Sequence, residues 1–271
     1  MKKLLALAGF ALSQTACLSL DFLFLDTPQT DAYDISSEII PEELIEPVTF
    51  EAEDGTVLHG YWAHQPVPSP PLIFFHGNGG HIGDNWDRVE YYWQWHTHDV
   101  FIFDYREFGM SEGKATFEGV MEQDGMAAVD HVREWAIAEP EEIAWVALSL
   151  GGAVAIHTLD EIGAQALIME STFANADYLL DEGTALDLPT GWFFKGPYDN
   201  VDQISEITAP IFIIHGLEDD FISPESAPLL FDAAPKPKAL WQPKGVGHSD
   251  LFEVAPEAFQ NRSLEFLAEH P

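Results

Sequence analysis

Three residue types suited to acyl transfer occur in this chain, each at or a few residues beyond the end of a short apolar run. Ser149 closes Ile143-Ala144-Trp145-Val146-Ala147-Leu148 and is followed by Leu150-Gly151-Gly152. Asp219 lies just beyond Ile211-Phe212-Ile213-Ile214-His215-Gly216-Leu217-Glu218, with Asp220 as its rival. His248 stands in the small-residue loop Gly245-Val246-Gly247-His248-Ser249-Asp250. A serine hydroxyl is a weak nucleophile until a neighbouring base takes its proton, and that base needs a carboxylate to hold its tautomer and orientation. Serine, acid and histidine in this chain order, each after a separate strand, are one of the few arrangements that meet these needs. Two backbone groups are candidates for stabilising the oxyanion: the N–H of Leu150, next to the nucleophile, and that of Asn78, in the glycine-rich turn Phe74-Phe75-His76-Gly77-Asn78-Gly79-Gly80. His76 reads as a structural residue of that turn.

The surrounding pattern says what must position these groups. Val48–Ala52 and Thr56–Ala63 flank Glu53-Asp54-Gly55 and predict a β-hairpin. Beyond it, short apolar runs at Pro71–Phe75, Val100–Phe103, Ile143–Leu148, Ala166–Met169, Ile211–Ile214 and Ala239–Gln242 predict strands. Helical spacing follows at Phe117–Ala138, Gly152–Leu159, Glu225–Ala233 and Pro256–Ala268. This alternation specifies an α/β architecture: a mostly parallel sheet with helices on both faces and an antiparallel hairpin at one edge. Residues 172–205 interrupt the rhythm with glycine and proline and carry Trp192, Phe193 and Phe194, which predicts a small cap insert over the carboxyl edge of the sheet.

These segments together resemble a family of small, lid-poor α/β-hydrolases of the esterase, lipase and serine aminopeptidase type. The likeness runs from about Val48 to Leu267. It rests on the His-Gly-Asn turn, on Asp104-Tyr105-Arg106-Glu107-Phe108-Gly109-Met110-Ser111-Glu112-Gly113, on the serine elbow and on the His-Gly-x-x-Asp strand end. Glu170-Ser171-Thr172-Phe173 is similar to a further loop of the family. The resemblance implies an α/β-hydrolase fold, a triad of Ser149, His248 and Asp219, and a structural role for Asp104–Gly113. Two residues depart from the pattern: Ala147 replaces the first glycine of G-x-S-x-G, and Glu107 replaces a glycine of the Asp104 turn. The expected activity is cleavage of carboxylic esters with short to medium acyl chains, with no cofactor and no metal. A peptidase or thioesterase would use the same triad, and a non-catalytic envelope lipoprotein could keep the same fold.

The remaining features bear on surroundings rather than chemistry. With 46 acidic residues against 11 basic and a formal net charge of −35, the chain repels nucleic acid and anionic lipid. Apolar residues make up 46% of it, which argues against disorder and for a globular protein. His96-x-His98 and the His76/His81 pair lack a third ligand at zinc-type spacing. At the N-terminus, Lys2-Lys3, the apolar stretch Leu4–Leu12 and Ala16-Cys17 have the form of a secretory signal over 1–17, with Cys17 placed as the lipidated residue of a bacterial envelope lipoprotein; an ordinary cleaved signal or an uncleaved anchor is the alternative. Cys17 is the single cysteine, so no intrachain disulfide can form. Residues 18–47 read as a tether or a surface strip preceding the hydrolase domain at 48–271, and the only membrane association expected is through the lipid anchor.

Overall fold

The computed structural model describes residues 25–116, 119–175 and 198–271. Residues 1–17, with Cys17, and most of the 172–205 insert, with Trp192, Phe193 and Phe194, lie outside them. Eight strands form one sheet: β1 Ile45–Glu51, β2 Val57–Ala63, β3 Pro71–Phe75, β4 Asp99–Phe103, β5 Ala144–Leu148, β6 Ala166–Glu170, β7 Ile211–Ile214 and β8 Lys238–Trp241. Their order is β1-β2-β4-β3-β5-β6-β7-β8. β2 runs antiparallel to both neighbours and the other pairs are parallel. Strands β3 through β7 are buried along their whole length, which explains why they read as unbroken apolar runs rather than as alternation.

The described helices are α1 Trp86–His96, α2 Met121–Ala136, α3 Leu150–Ile162, α4 Asn200–Ile204, α5 Ser226–Ala233, α6 Leu251–Val254 and α7 Pro256–Glu269. One apolar core, including Phe75, Phe101, Trp145 and Leu167, packs beneath α2 and α3, with Ile204 of α4 and Leu230 of α5. The opposite core, including Phe74, Val100, Ile102 and Ile168, is covered by Val89 and Tyr92 of α1 and by Phe259, Phe266 and Leu267 of α7. No strand or helix expected from the alternation is missing. Helix α1 was not foreseen, because Trp-Asp-Arg-Val-Glu-Tyr-Tyr-Trp-Gln-Trp-His buries aromatic rings and an arginine where an aliphatic stripe would have marked a face.

Connectivity reverses between β3 and β5. From β3 the chain passes to β4 on one side, then crosses back over β3 to β5. The carboxyl ends of these two neighbours lie side by side, Phe75 opposite Ala147. In open α/β sheets this reversal is where ligands bind, and both His76–Asn78 and Ser149 emerge there.

The α1–α7 contact contains a buried titratable group. His96 is fully buried, and its Nε2 pairs with Ser263 Oγ at 2.7 Å. Ser263 Oγ donates to the Phe259 carbonyl, so the imidazole is the donor in this bond. Burial, with a smaller contribution from His98, pushes His96 down to about 3, and burial also lowers His98. An unfolded histidine titrates near 6.5, so the stability held by neutral His96 is complete above that pH and is lost as pH falls toward 3. The loss is up to about 1.4 kcal/mol per pH unit for one such group. His96→Gln keeps a donor for Ser263 but cannot take up the proton. In urea unfolding at pH 7, 6, 5 and 4, the parent is expected to lose stability relative to His96→Gln as pH falls; a constant difference between them would contradict this account.

Candidate active site

Leu148 ends β5 and Leu150 begins α3, so the chain must reverse within Ser149. It does so at φ 51°, ψ −114°, in the left-handed half of the backbone map. For a residue with a side chain this costs on the order of 1–3 kcal/mol. The turn is held by the Ser149 N–H donating to the Glu170 carbonyl at 2.8 Å and by the Gly152 N–H donating to the Ser149 carbonyl at 3.0 Å. Ala147 does not prevent it: its methyl is buried in the core on the α2–α3 face of the sheet. Gly151 is where a small residue is mandatory, since a Cβ there would overlap the carbonyl oxygens of Phe75 and His76. Glu107, the other departure, adopts φ 68°, which accounts for glycine being usual at that place in the pattern. Its carboxylate accepts a hydrogen bond from the Ala115 N–H at 2.8 Å.

Ser149, Asp219 and His248, which the chain separates widely, come together in one hydrogen-bonded row. His248 Nε2 lies 3.1 Å from Ser149 Oγ, and His248 Nδ1 lies 2.8 Å from Asp219 Oδ2. Asp220 is exposed and makes no part of this row. Asp219 is held on both oxygens. Its Oδ1 accepts from the backbone N–H groups of Phe221 and Ile222, each at 2.9 Å. Its Oδ2 is also approached by His215 Nε2 at 3.0 Å. Burial alone would raise this carboxyl, but hydrogen bonds from His215 and His248, the charge of His248 and the Ile222 N–H outweigh it and hold the group well below the usual carboxylate range. Asp219 is therefore held ionised at neutral pH, the state in which a carboxylate can stabilise an imidazolium. The loop bearing His248 passes close over the Asp219 turn, because Gly216 has no Cβ to strike the Val246 and Gly247 carbonyls.

Leu150 occupies the first position of α3, where its N–H has no carbonyl of its own helix to meet. Asn78 is half-buried in the turn that follows β3, next to the elbow. His76, in the same turn, is fully buried, with Nδ1 2.8 Å from the Gly77 carbonyl and Nε2 3.3 Å from Asp104 Oδ1. The His96–His98 pair is used up in packing: His98 Nδ1 meets the His96 carbonyl at 2.7 Å. Among the described residues no three of His, Cys, Asp and Glu converge in a way that could hold a metal ion.

Two supports were not foreseen. His215, behind Asp219, belongs in the sequence to the strand-His-Gly context of that acid, and its residue type assigns it no further role. Arg88 of α1 is buried and bridges the site from below. Its Nη1 donates to Glu170 Oε2 at 2.7 Å, its Nη2 donates to the Ser249 carbonyl at 2.6 Å, and its guanidinium lies 4.7 Å over the Phe252 ring. It thereby ties the end of β6 to the residue after His248. The sequence signal was slight: an arginine is scarce in so acidic a chain, but no spacing linked it to Glu170.

The chain is similar to known proteins in both sequence and architecture. The uncharacterized protein YfhR of Salmonella typhi is 31% identical over 236 residues, covering 76% of this chain and 75% of its own. The alpha/beta hydrolase domain-containing protein WAV2 of Arabidopsis thaliana is 29% identical, with 84% of this chain and 80% of its own covered. Among solved structures, the Pyrococcus furiosus esterase Pf2001 superposes with a TM-score of 0.73 at 22% identity, over 91% of this chain and 99% of that one. No protein-family model matches the chain. The sheet order, the reversal between β3 and β5 and these relatives agree, and the chain belongs to the α/β-hydrolase superfamily.

Proposed function

We propose that this hydrolase cleaves carboxylic esters by acyl transfer, with Ser149 as nucleophile. The observation that carries the reading is the continuous row Asp219–His248–Ser149 at 2.8 and 3.1 Å, at the carboxyl ends of the strands. His248 Nε2 takes the Ser149 proton as Oγ attacks the ester carbonyl, while Asp219 holds Nδ1–H and offsets the charge that develops on the ring. The N–H groups of Leu150 and Asn78 receive the oxyanion. Collapse of the tetrahedral adduct expels the alcohol, which takes its proton from His248. A water deprotonated by His248 then releases the acid from Ser149, and the serine recovers its proton.

Two exposed apolar side chains favour short to medium acyl chains. Phe221 is 47% exposed with its ring 4.9 Å from that of His248, and Leu217 is 41% exposed on the same loop. A small apolar wall contributes up to about 0.8 kcal/mol per buried methylene and then nothing once the chain outgrows it. Across p-nitrophenyl esters from acetate to palmitate, kcat/KM is expected to rise modestly, peak at short to medium length and fall, with no jump above the solubility limit. A preference for palmitate with interfacial activation would contradict this range of acyl lengths.

The reading includes export to a bacterial envelope and anchorage through Cys17. A single acyl chain binds membranes only marginally, so stable attachment requires the several chains of a lipoprotein. Cys17→Ser is expected to move the protein from the membrane to the soluble fraction, and equal partitioning of the two forms would reject lipidation.

A further inference from the structure

The segment before the first strand reaches the active-site turns through its backbone. Asp26 meets the turn after β3 twice: its N–H donates to Asn78 Oδ1 at 2.9 Å, and its carbonyl accepts from the Gly79 N–H at 3.0 Å. Two and four residues on, the chain pairs with the turn after β4. The Gly109 N–H donates to the Pro28 carbonyl at 2.8 Å, and the Thr30 N–H donates to the Gly109 carbonyl at 3.0 Å. Tyr33 closes the run, its hydroxyl donating to Asp104 Oδ2 at 2.5 Å and accepting from the Met110 N–H at 2.8 Å. Asp104 in turn accepts from the Ile82 N–H at 2.9 Å and faces His76 Nε2. Residues 26–33 and Asp104 thus grip the 76–82 turn from two sides.

We propose that residues 26–33 are a strap that positions the Asn78 turn for oxyanion binding, so that Asp26 and Tyr33 are positioning residues of the active site. The proposal rests on the serine-hydrolase reading above. β3 ends at Phe75, and the sheet ladder no longer restrains the chain beyond it. An oxyanion donor works only when held within a few tenths of an ångström of its place. For Asn78–Gly79 that restraint is supplied by Asp26, whose two backbone groups lock the Asn78 side chain and the next N–H together. At Asp26 the strap acts through main-chain groups, so its contribution there depends on the course of the chain rather than on the Asp26 carboxylate.

The test uses the full chain carrying Asp26→Pro, which removes the N–H that Asn78 accepts, Asp26→Ala, which keeps both backbone groups, and Tyr33→Phe, which releases the far end. Loss of a whole oxyanion donor costs about 10²–10³ in kcat. A misplaced donor should cost less: about 10–100-fold for Asp26→Pro and about 3–10-fold for Tyr33→Phe. KM should stay within about threefold of the parent, and Asp26→Ala, which keeps both backbone groups, should lose far less kcat than Asp26→Pro. Affinity for an alkyl trifluoromethyl ketone, which forms the tetrahedral adduct on serine, is expected to fall by the same factor as kcat, because both read the oxyanion contact. A purely structural strap would lower the urea midpoint while leaving kcat and ketone affinity of the folded protein unchanged, and that result overturns the proposal. Should Asp26→Pro not fold, Tyr33→Phe decides it on the same two readouts. If Ser149→Ala abolishes turnover while the strap variants keep the parental rate, the strap alone is rejected. If Ser149→Ala keeps the parental rate, the serine reading fails and the strap falls with it.

Discussion

Ser149→Ala is expected to keep the fold and to lower ester turnover by several orders of magnitude, toward the 10⁶-fold or so seen when a triad member is deleted elsewhere. The fold should survive because the Ser149 hydroxyl caps no helix and, among the described residues, bonds to His248 alone. The reversal at φ 51° is held by backbone hydrogen bonds that alanine also makes. The loss should be in kcat rather than KM, since the hydroxyl is used in bond making and not in holding substrate. Steady-state kinetics on p-nitrophenyl butyrate, with far-UV circular dichroism as the check on folding, measures it. Turnover within tenfold of the parent would remove Ser149 from the mechanism.

Asp219→Asn is the second large effect. The amide keeps the shape of the side chain, but its NH2 cannot accept the His248 Nδ1–H. The imidazole is then driven to the tautomer that cannot take the serine proton, at a cost of about 10⁴ in kcat. The same change strains the other bonds of the site, for His215 Nε2 and the Phe221 and Ile222 N–H groups also address this carboxylate. Asp220→Asn should be close to neutral, because Asp220 is exposed and outside the row. If Asp220→Asn were the crippled variant and Asp219→Asn the mild one, the placement of the acid would be wrong by one residue.

What could be read from the sequence divides along physical lines. The central strands were legible because a strand buried on both faces must be apolar throughout, and Pro71–Phe75 or Ile211–Ile214 allow few other readings. The serine and histidine were legible because glycine concentrates where the backbone must turn sharply or pass another chain closely, as at Gly151 and Gly216. Asp219 and Asp220 were harder to separate. In a chain with 46 acidic residues a carboxylate carries little signal, and what distinguishes the two is a pair of backbone N–H groups, which leaves no trace in residue type. The same holds for Glu170, whose partner Arg88 is 82 positions away. Helix α1 escaped because its buried face is aromatic, and the Asp26–Asn78 contact because it is made by the main chain of a segment with no regular periodicity.

The central claim, that Ser149 is a nucleophile activated by His248 and Asp219, is tested most directly by labelling the folded protein with a fluorophosphonate and mapping the adduct by mass spectrometry. The phosphonyl group requires an activated serine and no knowledge of the natural ester. One adduct is expected per chain, on the peptide containing Ser149. It should be absent from Ser149→Ala and form far more slowly in Asp219→Asn. No adduct on the folded parent, or an adduct that persists on another residue in Ser149→Ala, would contradict it.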